Sequence, residues 1–139
     1  MKVDSIMHGI VIDHIEAGQG LKLYSLLSLD ELECPVAIIK NVPSKKMGKK
    51  DIIKVDGSVS LDVDVIGFVD PGATINIIDG GVITEKRTCS LPLTLTNVVK
   101  CKNPRCITSV EQELDQIFKL TDEEKKIYRC IYCETKFSN

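Results

Sequence analysis

Four cysteines close the chain in two tight pairs, Cys101-Lys-Asn-Pro-Arg-Cys106 and Cys130-Ile-Tyr-Cys133, and this spacing constrains the fold more than any other feature. Two pairs on separate turns, with a long loop between them, can bring four sulfurs to the corners of one tetrahedron. The pattern predicts one structural zinc ion per chain, held by Cys101, Cys106, Cys130 and Cys133. Sulfur ligation alone is equally compatible with iron. A disulfide pairing is the competing reading, disfavoured by the intracellular character of the chain. Four protein ligands leave no position for water or substrate, so the ion is a fold element and not a catalyst. The segment that carries it, from about Asn97 onward, spans only ~40 residues, a length at which an apolar core rarely suffices. Metal binding can supply on the order of 10 kcal/mol of folding free energy to such a module.

The remaining residues are enough for a second core, so two domains are expected, 1–92 and 93–139, hinged at Ser90-Leu-Pro92. With 43% hydrophobic and 27% charged residues, the composition is that of a globular protein. A formal net charge of −2 argues against a general nucleic-acid binder. No apolar stretch approaches the ~20 residues needed to span a bilayer, so no membrane association is expected and the cytoplasm is the expected compartment. Cys34 and Cys89 stand outside the metal set and read as small buried hydrophobes.

In the first domain, Gly9-Ile-Val-Ile-Asp-His-Ile15 is a β-branched run that predicts a strand. Leu21, Leu23, Tyr24, Leu26, Leu27 and Leu29 follow at near-helical spacing. Pro35 to Val42 reads as a second strand, Pro43 to Lys50 as a lysine-rich turn, and Asp51 to Val55 as a third strand. The segment from Val59 to Val69 is ambiguous. Its alternation fits a strand, while Asp62 and Asp64 ahead of Val65, Ile66 and Val69 fit a short helix. Ala73–Ile78 and Val82–Thr84 flank Asp79-Gly-Gly81, a hairpin turn. With a helix at the ambiguous segment, the order predicts an α+β fold. It is a ferredoxin-like antiparallel sheet with two helices on one face and an added strand, followed by a small β-rich zinc domain.

Chemistry-bearing residues are sparse. Lys45, Lys46, Lys49, Lys50, Lys54 and Lys86 offer the several ammonium groups a triphosphate needs, although a solvated lysine loop is the plainer reading. No Walker A or Gly-x-Gly-x-x-Gly sequence is present. Asp13 and His14 are neighbours in a strand and should point to opposite faces, unless the backbone bends there and lets both reach one ligand. An Asp can accept from ribose hydroxyls and a His can donate to phosphate. Nothing in the chain assembles a nucleophile, a base and an oxyanion hole.

Taken in order, these pieces resemble the regulatory chain of aspartate carbamoyltransferase. The likeness runs from residues 9–15 through Asn41-Val-Pro-Ser44, Met47 to Lys54, Ala73-Thr-Ile-Asn76 and Ser90-Leu-Pro92. It ends with Asn97-Val-Val-Lys-Cys101, both cysteine pairs and Lys136-Phe-Ser138. It implies a non-catalytic subunit that binds nucleotide effectors in its N-terminal domain, CTP and UTP as inhibitors and ATP as activator of pyrimidine biosynthesis. It implies a homodimer of regulatory chains and contact with the catalytic chain through the zinc domain. By position, Asp13 would hold the ribose, His14 and Lys86 the phosphates, Lys54 the ribose and base, and Lys50 the phosphate end. Ile6, Val11 and Ile78 would line the pocket, Asn76 and Ile83 belong to the same nucleotide-binding set, and Val3 and Asp4 lie on an arm beside it. Asn103, at the tip of the first cysteine turn, is implied as a contact with the catalytic chain. Gly81 departs from the aromatic residue that well-known members carry there, which implies looser packing at the base. The rival reading is a zinc-ribbon nucleic-acid-binding protein, and Glu111, Glu113, Asp115, Asp122, Glu123 and Glu124 among the C-terminal lysines argue against it.

Overall fold

The computed structural model describes residues 6–137, so Val3 and Asp4 lie outside the described residues. The chain divides after Ser90 into two compact units. In the first, β1 (His8–Glu16), α1 (Gly20–Leu26), β2 (Val36–Ser44), β3 (Gly48–Val55), α2 (Val63–Val69), β4 (Thr74–Asp79) and β5 (Val82–Thr88) follow one another. The strands form one antiparallel sheet in the order β2-β3-β1-β4-β5. This is the ferredoxin-like arrangement with β5 added beside β4.

The ambiguous segment is helical because Asp62 caps it: its side chain accepts from Asp64 N at 3.0 Å, and the helix ends at Asp70. Asp70 then turns the chain, accepting from Gly72 N and from Glu16 N. The first helix is shorter than its leucine pattern suggests. It stops at Leu26, and Ser28, at φ 54°, starts a short 3-10 turn over Leu29–Glu31. The lysine-rich turn also shrinks. Gly48, at φ 79°, and a bond from Met47 N to Ser44 Oγ close it tightly, so Lys49 and Lys50 belong to β3.

Helices of seven residues have no stability of their own, so packing holds them. Ile10, Ile12 and Ile15 of β1, Ile53 and Val55 of β3 and Ile75 of β4 meet Leu23 of α1 and Ile66 of α2 in one buried cluster. Each fully buried Ile or Leu contributes about 1.5–3 kcal/mol relative to exposure. Cys89 lies in this cluster and Cys34 packs against it. Burial, and then the charge of Asp70, push the Cys89 thiol up, which suits an unreactive core residue.

The second unit is a small sheet, β6 (Thr94–Thr96), β7 (Ile117–Asp122) and β8 (Ile127–Cys130), in that order. Leu95, Phe118 and Tyr128 are its main buried side chains, and Tyr128 OH donates to Pro92 O at 2.6 Å. Three aromatic or aliphatic anchors make a thin core, as the length of the segment requires. Among the described residues no helix is long and apolar enough to cross a membrane.

Ile12 is fully buried at the centre of the larger sheet. Ile12→Ala is expected to lower the stability of the first unit by about 2–5 kcal/mol, the usual cost of such a cavity. Urea denaturation followed by far-UV circular dichroism measures it, and a change under 1 kcal/mol would show that the sheet core is not packed as described.

Candidate functional site

The four cysteines converge as the spacing predicts, with their sulfurs all within 4.8 Å of one another. Cys101 and Cys133 Sγ are 3.6 Å apart, and Cys106 and Cys130 Sγ 3.7 Å. Sulfurs at about 2.3 Å from a central ion in a regular tetrahedron stand ~3.8 Å apart, whereas a disulfide needs about 2 Å. The set therefore fits a tetrahedral metal ion and excludes a disulfide in this arrangement. The turns that carry it are internally bonded: Cys106 N donates to Asn103 O, and Glu134 N to Cys130 O.

Polar neighbours complete the cluster. Thr108 Oγ1 donates to Cys106 Sγ at 3.1 Å, and Thr135 Oγ1 lies 3.1 Å from Cys133 Sγ. Asn103 Nδ2 donates to Thr135 Oγ1, which leaves that hydroxyl's proton for a Cys133 thiolate. Gln116 Oε1 accepts from Cys101 N. The environment is uneven: Thr135 holds the Cys133 thiol down to about 6, while burial pushes Cys101 up to about 12. A bound divalent ion would favour the thiolate form of all four sulfurs by offsetting their mutual repulsion. Thr108, Gln116 and Thr135 are absent from the sequence reading, since nothing in their local spacing marks them. Beside Cys101 lies a cavity of about 390 Å³ with Lys100, Lys102 and Lys136 on its walls.

In the first unit, the face of the sheet turned away from α1 and α2 gathers most of the other expected residues. Pairing puts Lys54 beside Val11, Val11 beside Asn76, and Asn76 beside Lys86, a row across β3, β1, β4 and β5. The adjacent row pairs Gly9 with Ile78 and Ile78 with Ile83. Ile6 folds back over that end: its Cγ2 lies 3.0 Å from where a Gly9 Cβ would stand. Ile6 is buried, Val11, Lys54, Asn76 and Ile78 are half-buried, and Ile83 and Lys86 on the edge strand are exposed. Asn76 Oδ1 is buried and accepts no hydrogen bond among the described residues.

A bulge resolves the question of Asp13 and His14. The register of β1 against β3 shifts between Ile12 and Ile15, and His14 adopts a left-handed φ of 57°. His14 N donates to Asp13 Oδ1 at 2.6 Å, and His14 Nδ1 lies 2.9 Å from Thr74 Oγ1. Thr74 pairs with Asp13, so both Asp13 and His14 serve the same face. Lys50 Nζ completes the group at 2.9 Å from Asp13 Oδ1. Burial raises the Asp13 carboxyl, but the Lys50 hydrogen bond, the His14 amide and both charges outweigh it and hold Asp13 below its ordinary 3.8. At the opposite end, Gly81 sits at φ 79° with the Met7 thioether 3.2 Å from where its Cβ would stand. A side chain there would meet both strain and the thioether.

Two family models divide the chain between them. Residues 1–90 match the allosteric domain of the aspartate carbamoyltransferase regulatory chain, and residues 94–139 match its metal-binding domain. The chain belongs to this family. Over 138 residues it is 49% identical to the aspartate carbamoyltransferase regulatory chain of Clostridium botulinum, covering 99% of this chain and 94% of that one. Against the Clostridium acetobutylicum regulatory chain it is 50% identical over 134 residues, covering 96% and 92%. Against that of Bifidobacterium longum it is 43% identical over 134 residues, covering 96% of each. As a regulatory chain it is a non-catalytic subunit with an allosteric domain and a metal-binding domain.

The Asp13–Lys50 pair makes the allosteric domain sensitive to acid. A depressed carboxyl contributes stability that is present above 3.8 and is lost as pH falls through its still lower folded value. In Lys50→Met the Asp13 midpoint should rise, and the acid-unfolding curve of the domain should move to higher pH. Carbon-detected NMR of the Asp13 carboxyl reads the first and circular dichroism the second. An unchanged Asp13 midpoint would show that the pair does not form in solution.

Proposed function

We propose that this regulatory chain binds nucleoside triphosphates, CTP and UTP as inhibitors and ATP as activator, and passes their effect to an aspartate carbamoyltransferase catalytic chain in pyrimidine biosynthesis. The effector role belongs to residues 1–92 and the contact with the catalytic chain to residues 93–139. Pairing of two chains through their N-terminal domains and a cytoplasmic location follow from the family resemblance.

The observation that carries the effector reading is the polarity of one sheet face. Lys50, Lys54, Lys86 and His14 gather cationic and donor groups around the Asp13 end. Ile6, Ile78 and Ile83 make the other end apolar. A triphosphate at the first end and a base at the second match that gradient. Asp13, a liability beside phosphate, suits ribose hydroxyls, and the unpaired Asn76 Oδ1 suits a ligand donor. Val11 lines the middle of the row. The family resemblance adds Val3 and Asp4 to the proposed nucleotide-binding set.

The ion is proposed to be zinc, which takes four thiolates in a closed tetrahedron as its usual structural site. Cys101, Cys106, Cys130 and Cys133 would hold it. Leu93, Ile107, Val110, Leu114, Ile131 and Tyr132 are large side chains exposed on this domain, which supports its burial against another chain. The cationic cavity beside Cys101 suits acidic groups of the partner, and Asn103, which shapes the cysteine turn, belongs to that contact surface.

Calorimetric titration of CTP and ATP tests the effector site. Asp13→Ala should weaken binding by about 1.5–3 kcal/mol, the range for hydrogen bonds to a charged group. Lys86→Ala should weaken both nucleotides together, because they share the triphosphate. Wild-type affinity in both variants would remove the site from this face.

Removal of the ion tests the metal domain. Mercurial treatment should release the chain from its catalytic partner while CTP binding persists, since the cysteines and the lysines belong to different units. Gel filtration with metal analysis reads the outcome, and a complex that survives complete metal loss would refute the assignment of the contact.

A further inference from the structure

Asp51 is fully buried, on the helix side of the larger sheet, where its neighbours Ile12, Ile15 and Ile53 are apolar. A carboxylate there is costly unless it is fully hydrogen-bonded. It is. Oδ2 accepts from Gly18 N at 3.1 Å and from Gly20 N at 3.0 Å, and Oδ1 accepts from Asn41 N at 3.1 Å. Gly20 approaches so closely that a Cβ on it would stand 2.8 Å from Oδ2.

One of these donors lies on β2, a strand that flanks β3, and the other two on the segment leading from β1 into the start of α1. Both flanking strands are bulged beside Asp51. In β1 the register shifts between Ile12 and Ile15, and in β2 between Ile39 and Val42. Each bulge holds a non-glycine residue in the left-handed region, His14 at φ 57° and Asn41 at φ 59°. Such residues persist only where surrounding bonds over-determine them. The amide of Asn41 is bonded by Asp51 itself, and the chain beyond the His14 bulge is held through Gly18 and Gly20. Lys50, the residue before Asp51, projects to the opposite face and meets Asp13.

We infer that Asp51 is a positioning residue for the effector face. By gathering three backbone amides on the helix side, it fixes the paired bulges that bring Asp13, His14 and Lys50 together on the other side. It touches no ligand. Its effect on affinity rests on the effector reading above, whereas its effect on the Asp13–His14–Lys50 geometry does not.

Asp51→Asn keeps the shape of the side chain but turns one acceptor into a donor facing a backbone N–H. At a temperature where circular dichroism shows the variant folded, the Asp13 carboxyl midpoint, read by carbon-detected NMR, should rise toward 3.8. CTP and ATP affinity should fall at least ~10-fold, equivalent to about 1.4 kcal/mol, with metal content unchanged. A purely stabilising role would lower the melting temperature and leave the Asp13 midpoint and the affinities of the folded variant as they were, which would overturn the inference. Gly20→Ala, which crowds Oδ2 without removing the carboxylate, covers the case in which Asp51→Asn does not fold. It should shift the same two readouts in the same direction, and its normality in both would also overturn the inference. A wild-type chain that binds no nucleotide, with an Asp13 midpoint that still moves in Asp51→Asn, would refute the effector reading and leave the positioning role standing.

Discussion

The first unit depends on one sheet having two unlike faces. Isoleucine and valine on alternate positions of β1, β3 and β4 must leave water, and two seven-residue helices suffice to cover them. The helices gain their order from that burial, since neither is long enough to persist alone. The same alternation commits Val11, Asp13, Lys54 and Asn76 to the other face, which the helices leave uncovered. A stable core and a second face that carries polar side chains are thus two consequences of one period-two pattern.

Regular pairing alone would not bring Asp13 and His14 to the same face of the sheet. The left-handed residue at position 14 re-aims the imidazole, and Thr74 on the neighbouring strand receives it. The cost of that backbone conformation is offset locally by the hydrogen bond that His14 N donates to Asp13 Oδ1 and, around it, by the hydrogen-bonded frame of Asp51. Strain of this kind belongs where a chain presents polar groups. Here it coincides with the cluster of Asp13, His14 and Lys50.

The metal-binding domain solves a different problem. Its core is little more than Leu95, Phe118 and Tyr128, while many of its larger apolar side chains remain outside. A bound metal ion would supply the cohesion that such a core lacks. Polar groups around the cysteines orient the sulfurs: Thr108 and Thr135 reach them directly, and Asn103 and Gln116 fix the turns. An ion held in this way would stabilise the shape of the domain.

The sequence by itself determined the four metal ligands, because the paired cysteine spacing is a local property that few other structures can use. It also determined the strands and the first helix of the first unit, through β-branched runs, the leucine spacing and the Gly80-Gly81 turn. The family likeness was legible in the same runs. Other features depended on contacts between residues far apart in the chain. The helix at Val63–Val69 was undecided until its apolar side met the sheet, since its pattern fits two periods. The lysine-rich turn contracted because Gly48 and Ser44 close it tightly, which moved Lys49 and Lys50 onto β3. Asp51 looked like the polar start of a strand and is a buried acceptor for three distant amides. Thr74, Thr135 and Gln116 carry no mark of their roles in sequence. Local spacing fixes periodicity and ligand count, but a hydrogen bond across many residues exists only once the sheet has chosen its register and placed its bulges.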